Sequence, residues 1–438
     1  LEQNIKTGEV FNMGSDDEVE RSWVPSRTYD FELKIEDIDL SSDIMQVNIM
    51  SSIEIPYVSV IITLFVDPND LILNKIYGQT PLKFTIRHFQ DTAPGVPDEQ
   101  IEMDLMYVSA QYDIEMKSQM NSQTTMKDRS AVQITTVCKE PFKLMNTYVN
   151  GVYIGMTLQS VINDLARRLG ATLDYDSNGA NTEVIDQVLI PPMTFYQALR
   201  YLDKTFGLFN GMSSFLCLQD KPQPKIYVKN LTSRVKTSNL AIIRQLASGS
   251  GAEELFKEST GKSEAGSYLY YTYRNIETNY KGNTAFSIFG PRMIHIVKPS
   301  NKLYHKLDIT TETFARDYGI GYMGKTIYYD KETLKTDSRI AFFKDHTGYE
   351  ETQTHINANW SRILSDLSSI VISLERNVFL LPLLNTGDSI GFFSLIDNMK
   401  DFQGRYILSS TDLSFQRGKR EFESNAKLTL IRTNRTLE

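Results

Sequence analysis

The chain has 438 residues, 41% of them hydrophobic and 23% charged, and a net charge of −8. These proportions are those of a soluble globular protein, and the length fits roughly two to four domains rather than one simple core. The acidic balance and the lack of any dense basic run exclude a protein that grips nucleic acid through its phosphates.

Residues 1–28 are polar, cluster Asp16, Asp17, Glu18 and Glu20, and lack hydrophobic periodicity, so they read as an arm that orders against a partner. No signal peptide is visible at this end. The chain is expected to fold in a reducing cytoplasm, with a processed or trimmed start accounting for Leu1. From Tyr29 the pattern has period two: Tyr29, Phe31, Leu33 and Ile35 alternate with polar residues, and Ile53 and Ile55 lead into the nearly continuous run Tyr57–Val66. A strand apolar on both faces is packed on both sides. A short helix carrying Leu71, Leu73 and Ile76 should close at Gly78. Strands are expected at Lys83–Arg87 and Leu105–Tyr112, with a turn-rich loop over Asp91–Asp98. This predicts a small β-barrel over 29–149.

An αβ module over 150–232 is the best-marked part of the chain. Thr157–Gly170 and Thr194–Gly207 match at an offset of 37. Each opens on a threonine suited to cap a helix and closes on a glycine. Between lie the stripes Leu158, Val161, Ile162, Leu165, Leu169 and Phe195, Ala198, Leu199, Leu202, Phe206, each on one helix face. A polar turn at Asp176–Gly179 and the pair Pro191-Pro192 separate the helices, and Phe215–Leu218 and Lys225–Lys229 close the module as strands. A second β-barrel starts over 233–298, with the tyrosine-rich strand Tyr268–Tyr273, is interrupted by an insertion over 299–352, and resumes over 353–438. That last part holds a helix at about 353–368 and strands at Ile370–Leu374, Val378–Leu381, Ser389–Phe393, Arg405–Ser409 and Ala426–Arg432. The expected class is α+β, mainly β: two small antiparallel β-barrels joined by an αβ module, the second barrel interrupted.

No residues are assigned to catalysis, cofactor or metal binding. Gly261-Lys262-Ser263 lacks the first glycine of a phosphate-binding loop, because Phe256 stands in its place. Gly211-Met-Ser213-Ser-Phe215 lacks the final glycine of a hydrolase elbow. His88, His295, His305, His346 and His355 are scattered, whereas a metal site needs clustered ligands. Asp174/Asp176 and Glu350/Glu351 read as solvated surface charge. Cys138 and Cys217 read as small buried or half-buried thiols, too few for a disulfide framework. The longest apolar run, Val58–Val66, contains Ser59 and Thr63 and is far short of the ~20 residues that span a bilayer.

The order of elements resembles the central baseplate hub proteins of contractile-tailed bacteriophages and the related late-control D, type VI secretion spike and tail-tip proteins. The residues that carry the likeness are Thr157-Leu158, Val161-Ile162, Leu165, Gly170, Asp186-Gln187, Phe195, Ala198-Leu199, Leu202 and Gly207. Further on they are Gly387-Asp388, Gly404-Arg-Tyr406 and Lys427–Arg432. The chain departs from the family's pattern at Val188–Met193 and in the length of 233–355. The resemblance implies a non-enzymatic structural hub: a homotrimeric ring whose six barrels adapt the six-fold tail tube to the trimeric central spike and surround the DNA channel. It implies tube or tube-initiator proteins, the spike and other baseplate proteins as partners, no membrane, and a place in the virion tail after assembly in the host cytoplasm. Three acidic copies would let DNA slide rather than bind. The alternative readings are a tail-associated cell-wall hydrolase, suggested by the unassigned 233–355 region, and a receptor-binding tail-tip protein, suggested by the tyrosine-rich strands.

Overall fold

The computed structural model describes residues 11–12, 20–21, 27–67, 71–78, 80–90, 99–113, 130–209, 213–219, 223–231, 238–243, 268–280, 293–297, 304–308, 321–322, 325–326, 340–344, 368–375, 386–394, 404–418 and 422–432. Most of the expected arm, the Asp91–Asp98 loop, Val378–Leu381, the helix near 353–368 up to residue 367 and most of the insertion lie outside them.

The first β half is an antiparallel ladder. Its strands are β1 (Arg27–Ile35), β2 (Ile44–Ser52), β3 (Ile55–Val66), β4 (Leu82–Gln90), β5 (Glu99–Asp113) and β6 (Ser130–Cys138), in the order β2-β3-β6-β5-β4-β1. Helix α1 (Leu71–Tyr77) sits between β3 and β4 and buries Leu73 and Ile76. Strand β3 shows why its sequence runs apolar on both faces. Val58, Val60, Ile62 and Leu64 enter the core of the half, while Tyr57 on the other face packs toward the module, edge-on to Phe142 at 5.2 Å.

The second half supplies β12 (Ser238–Ile243), β13 (Tyr268–Tyr280), β17 (Ser368–Glu375), β18 (Ser389–Ser394), β19 (Gly404–Arg417) and β20 (Phe422–Arg432). Between β13 and β17 a separate three-stranded sheet holds β14 (Met293–Val297), β15 (Tyr304–Asp308) and β16 (Ile340–Lys344). The two barrels are not present as two separate closed sheets. One thirteen-stranded sheet runs β18-β12-β13-β17-β20-β19-β2-β3-β6-β5-β4-β1 and ends on the short piece Ile38–Asp39. The reason is β19. Its first residues pair with β18 (Gly404↔Phe392 to Ile407↔Ser389), and its later ones pair with β2 (Ser410↔Ser52 to Gln416↔Gln46). A bulge between Leu408 and Ser410 marks the hand-over, where an extra residue bends the strand and raises its twist. Nor are all pairings antiparallel, since β12 runs parallel to both β13 and β18.

The module lies beside this sheet with its own core. It adds α2 (Lys139–Asn146), β7 (Tyr148–Thr157), α3 (Leu158–Arg168), β8 (Thr172–Tyr175), β9 (Val184–Thr194), α4 (Phe195–Phe206), β10 (Ser213–Leu218) and β11 (Lys225–Asn230). Both repeated helices form where their caps place them. Thr157 accepts a hydrogen bond from the Ser160 N–H (3.2 Å), and Thr194 forms a reciprocal capping box with Gln197. The apolar stripes are buried as expected, from Leu158 to Ala166 and from Phe195 to Phe206. β7 and β9 pair antiparallel as a two-stranded ribbon, and β8, β11 and β10 form a small mixed sheet.

Replacing Thr194 by Ala removes the hydroxyl that accepts from the Gln197 N–H, while the backbone N–H at 194 can still donate to the Gln197 side chain. Global stability should fall by about 1 kcal/mol, read as a lower denaturation midpoint at unchanged denaturant dependence. The same change at Thr157, whose hydroxyl accepts from the Ser160 N–H and also bonds the Ser160 hydroxyl (2.8 Å), should cost a similar amount.

Candidate interaction sites

The residues weighed for chemistry have structural places. His88 is wholly buried on β4 and stacks on Tyr29, with ring centroids 4.8 Å apart. Asp174 pairs with Lys225 at 2.9 Å. Asp176 accepts from the backbone N–H of Asn178 (2.9 Å), which holds the expected polar turn. Ser213 donates to Asp203. His295 and His305 lie on neighbouring strands β14 and β15, and His346, His355, Glu350, Glu351 and Gly261–Ser263 lie outside the described residues. Among the described residues no group of three His, Cys, Asp or Glu could hold a metal ion, and no helix is long and apolar enough to cross a membrane. Cys138 and Cys217 are free and buried, and burial pushes both thiols up to about 12. At neutral pH neither carries the thiolate that nucleophilic or redox chemistry requires.

What the fold brings together is a three-way junction. The turn Thr386-Gly387-Asp388 of the second half lies on the module and the first half at once. Lys229 on β11 donates to the Asp388 carboxylate (2.7 Å) and to the Thr386 carbonyl (3.2 Å), and the two charged side chains are each only 16% exposed. The hydroxyls of Thr386 and Ser51 on β2 are 3.1 Å apart. The Gly387 N–H donates to the Leu408 carbonyl, and the Leu408 N–H to that of Asp388, so the turn is stitched to β19 beside its bulge. Below it, Leu231, Ile407 and Ile431 form a buried cluster with Ile53 packed against them, taking one or two residues from each unit. Gly387 has φ +87°, and a Cβ there would lie 2.8 Å from the buried Ser214 hydroxyl. Both the backbone and the space demand glycine. The motif Gly387-Asp388 was visible in the sequence. Its partner Lys229 was not, because nothing local marks a lysine in an alternating strand as one that will meet a turn 159 residues away.

A second contact fixes the module to the first half. Tyr196 on α4 donates to the Glu54 carbonyl (2.8 Å), and Arg200, one turn on, reaches the Glu54 carboxylate (3.3 Å). These groups are exposed, so orientation rather than stability is what they supply. Further along the first half, an open cleft of about 520 Å³ runs over Phe84 between Glu32, Lys83, Arg87 and Asp104, and Gln219 of the module closes one end with a bond to Asp104 (2.9 Å). Glu32 takes hydrogen bonds from Lys34 and then Arg87, which lower its pKa. The cleft is lined with charges of both signs rather than one.

The module ribbon is different in kind. One face, with Tyr153, Val188 and Ile190, is buried with the helices. The opposite, outer face leaves Val152, Ile154 and Leu189 between 55% and 75% exposed, and Tyr148 and Val184 at the strand ends are exposed as well.

Residues 102–255 match the family model described as bacteriophage PBS1 gene 109 protein. No curated protein matches the chain in sequence. Among solved structures, the tail protein from Neisseria meningitidis MC58 is similar over 92% of this chain and 97% of its own, with a TM-score of 0.53 and 11% identity. The 43 kDa tail protein of prophage MuSo2 from Shewanella oneidensis is similar over 94% of this chain and 100% of its own, with a TM-score of 0.50 and 10% identity. The chain shares the fold of these tail proteins, in line with the tail resemblance read in the sequence.

Three measurements test the junction and the thiols. Gly387→Ala should lower stability by about 1–3 kcal/mol, and Lys229→Met with Asp388→Asn, singly and together, should give a coupling energy of about 1.5–3 kcal/mol in a double-mutant cycle. The raised thiols predict a loss of stability at high pH. The native state holds the Cys138 and Cys217 protons from the ordinary value of 9.0 up to about 12, while the unfolded chain releases them. Their contribution is intact below pH 9 and declines above it. In a Cys138→Ala/Cys217→Ala protein that part of the decline should be missing from denaturation curves.

Proposed function

We propose that the chain is the structural hub of a phage tail, a homotrimeric ring that adapts the six-fold tube to the trimeric spike, lets DNA pass without specific binding, and performs no catalysis. The observation that carries this reading is the extent of the structural likeness. It runs through both β halves and the module and covers 97% of a tail protein, so the whole architecture is shared rather than one module.

Two features support a barrel-like form for each half. In the second half the ladders β18-β12-β13-β17-β20-β19 return to their start, because β19 also pairs with β18. In the first half the two end strands, β1 and β2, both meet the β19–β20 hairpin. β2 meets it by a ladder, and β1 by Phe31, which packs against Phe415 (5.1 Å) and Phe422 (4.7 Å). A chain with two such halves presents six in a trimer, which is how a threefold assembly would match a six-fold one. The sequence-derived boundaries at 28/29, 149/150, 232/233, 298/299 and 352/353 belong to this reading. So do the spike, the tube or tube-initiator and other baseplate proteins as partners, and the virion tail, assembled in the host cytoplasm, as location.

Sedimentation of the full chain, alone and mixed with its spike and tube proteins, should give a species of three chain masses that carries the spike. A monomer that ignores both would overturn the proposal. Peptidoglycan zymography should show no clearing at any pH, and a clearing band would remove the non-enzymatic part.

A further inference from the structure

We propose that the open edge of β7 accepts an extended strand from a neighbouring tail protein, which adds to the module ribbon as its third strand. The inference rests on the tail-hub reading for the identity of the neighbour, and on the ribbon itself for the kind of contact.

Among the described residues, β7 and β9 pair only with each other, so each has one edge whose backbone N–H and C=O groups meet no strand. Lone two-stranded ribbons are marginal, and exposed edges are usually blunted by lysine, proline or bulges. The edge of β9 is blunted, since Pro191 and Pro192 supply no N–H there. At the register shift between Val149 and Gly151 the extra residue lies on β9, at the proline pair; β7 then runs in register from Gly151↔Ile190 to Thr157↔Val184, with no proline, lysine, arginine or acid in its ten residues. Asp186 is the one charged residue in the whole ribbon, in a chain that is 23% charged.

The outer face beside that edge is apolar. Five of the eight large hydrophobic residues exposed among the described residues lie on this ribbon. Val152 and Leu189 face each other across the strands, and Ile154 (75% exposed) stands next to them on β7.

These features select the occupant. A free strand edge is satisfied by another strand, which contributes the matching donors and acceptors. An uncharged apolar face calls for a strand with apolar side chains at alternate positions and no charge on that face. The edge is ten residues long, about 33 Å by one inter-strand spacing of about 4.8 Å, or about 160 Å². That is well short of the roughly 800 Å² per partner that a standard interface buries, so a second copy held by this edge alone would not stay bound, whereas a strand from a protein anchored elsewhere in the tail would.

Hydrogen–deuterium exchange on the full chain, purified and within isolated tails, tests the proposal. The amides of Gly151–Thr157 that do not bond to β9 should exchange at least tenfold more slowly in tails than in the purified chain. Val152→Lys and Ile154→Lys, placed on exposed positions, should keep the wild-type melting temperature and reduce incorporation into tails at least tenfold. Equal exchange of those amides in the two samples, or lysine variants that enter tails as the unmodified chain does, would overturn the strand-addition proposal and leave the hub reading standing. Protection of the edge in the purified chain alone, rising with its concentration and lost in Ile154→Lys, would assign the occupant to a second copy and also overturn it. Absence of the chain from tails would sink both readings.

Discussion

The structure depends on the division of one strand edge between two neighbours. β19 is 14 residues long because it has to serve both halves, giving its first residues to β18 and its later ones to β2. β20 runs along its other edge from Tyr406↔Arg432 to Arg417↔Phe422, shifting register by one residue at the bulge. The hydrophobic pattern follows this double duty. Tyr406, Ile407 and Leu408 are buried in succession, since at the bulge both faces of the strand are covered. Beyond it the pattern returns to alternation, with Leu413 and Phe415 buried and Asp412 and Gln416 outside. One continuous core results, in which Phe31 and Val60 of the first half share a cluster with Ile372, Leu413 and Leu428 of the second. Packing of this density transmits displacement, so the relative setting of the halves is a property of the hairpin rather than of a linker.

The junction at Thr386-Gly387-Asp388 extends the same constraint to the module. An ion pair with both partners 16% exposed gains from a lowered local dielectric but must recover the cost of leaving water. Here the recovery comes from additional bonds, because Lys229 also holds the Thr386 carbonyl. Ser51 adds a neutral hydrogen bond from the first half. Hydrogen bonds are directional and oil-like contacts are not. The Leu231 cluster thus supplies adhesion, and the polar turn supplies the angle at which module and halves meet.

Much of this architecture was legible. Period-two alternation located β1 at Tyr29–Ile35, and the doubly apolar run located β3. Repeated caps and stripes fixed α3 and α4 almost to the residue, because a helix terminus is a local matter of a hydroxyl and the first free N–H groups. Three things were not legible. The ribbon strands β7 and β9 were missed since Pro191-Pro192 and Gly151 break the alternation that announces a strand, and the stretch Val188–Met193 looked only like a departure from a family pattern. Helix α2 follows β6 directly and is eight residues long, too short to show a period. The fusion of two expected barrels into one sheet is a pairing fact, and strand order across hundreds of residues leaves no mark in local composition. Nothing in the sequence marks the exposed apolar residues of the ribbon, because a valine or isoleucine in a strand has the same pattern whether its face is covered or open.

Gln46 and Ser414 share a hydrogen bond of 3.4 Å across 368 positions of the chain, and Arg417 holds the carbonyls of Ser42 and Ile44. The first half is therefore made before β19 and β20, the strands that close its edge. Until then its β2 edge and the aromatic ring of Phe31 stand open to water and to other nascent chains. Contacts of such long range are slow to close and invite aggregation. A polypeptide broken off before residue 404 would lack the lid of its first half, so the order of the strands makes the folding of that half answer to synthesis far downstream.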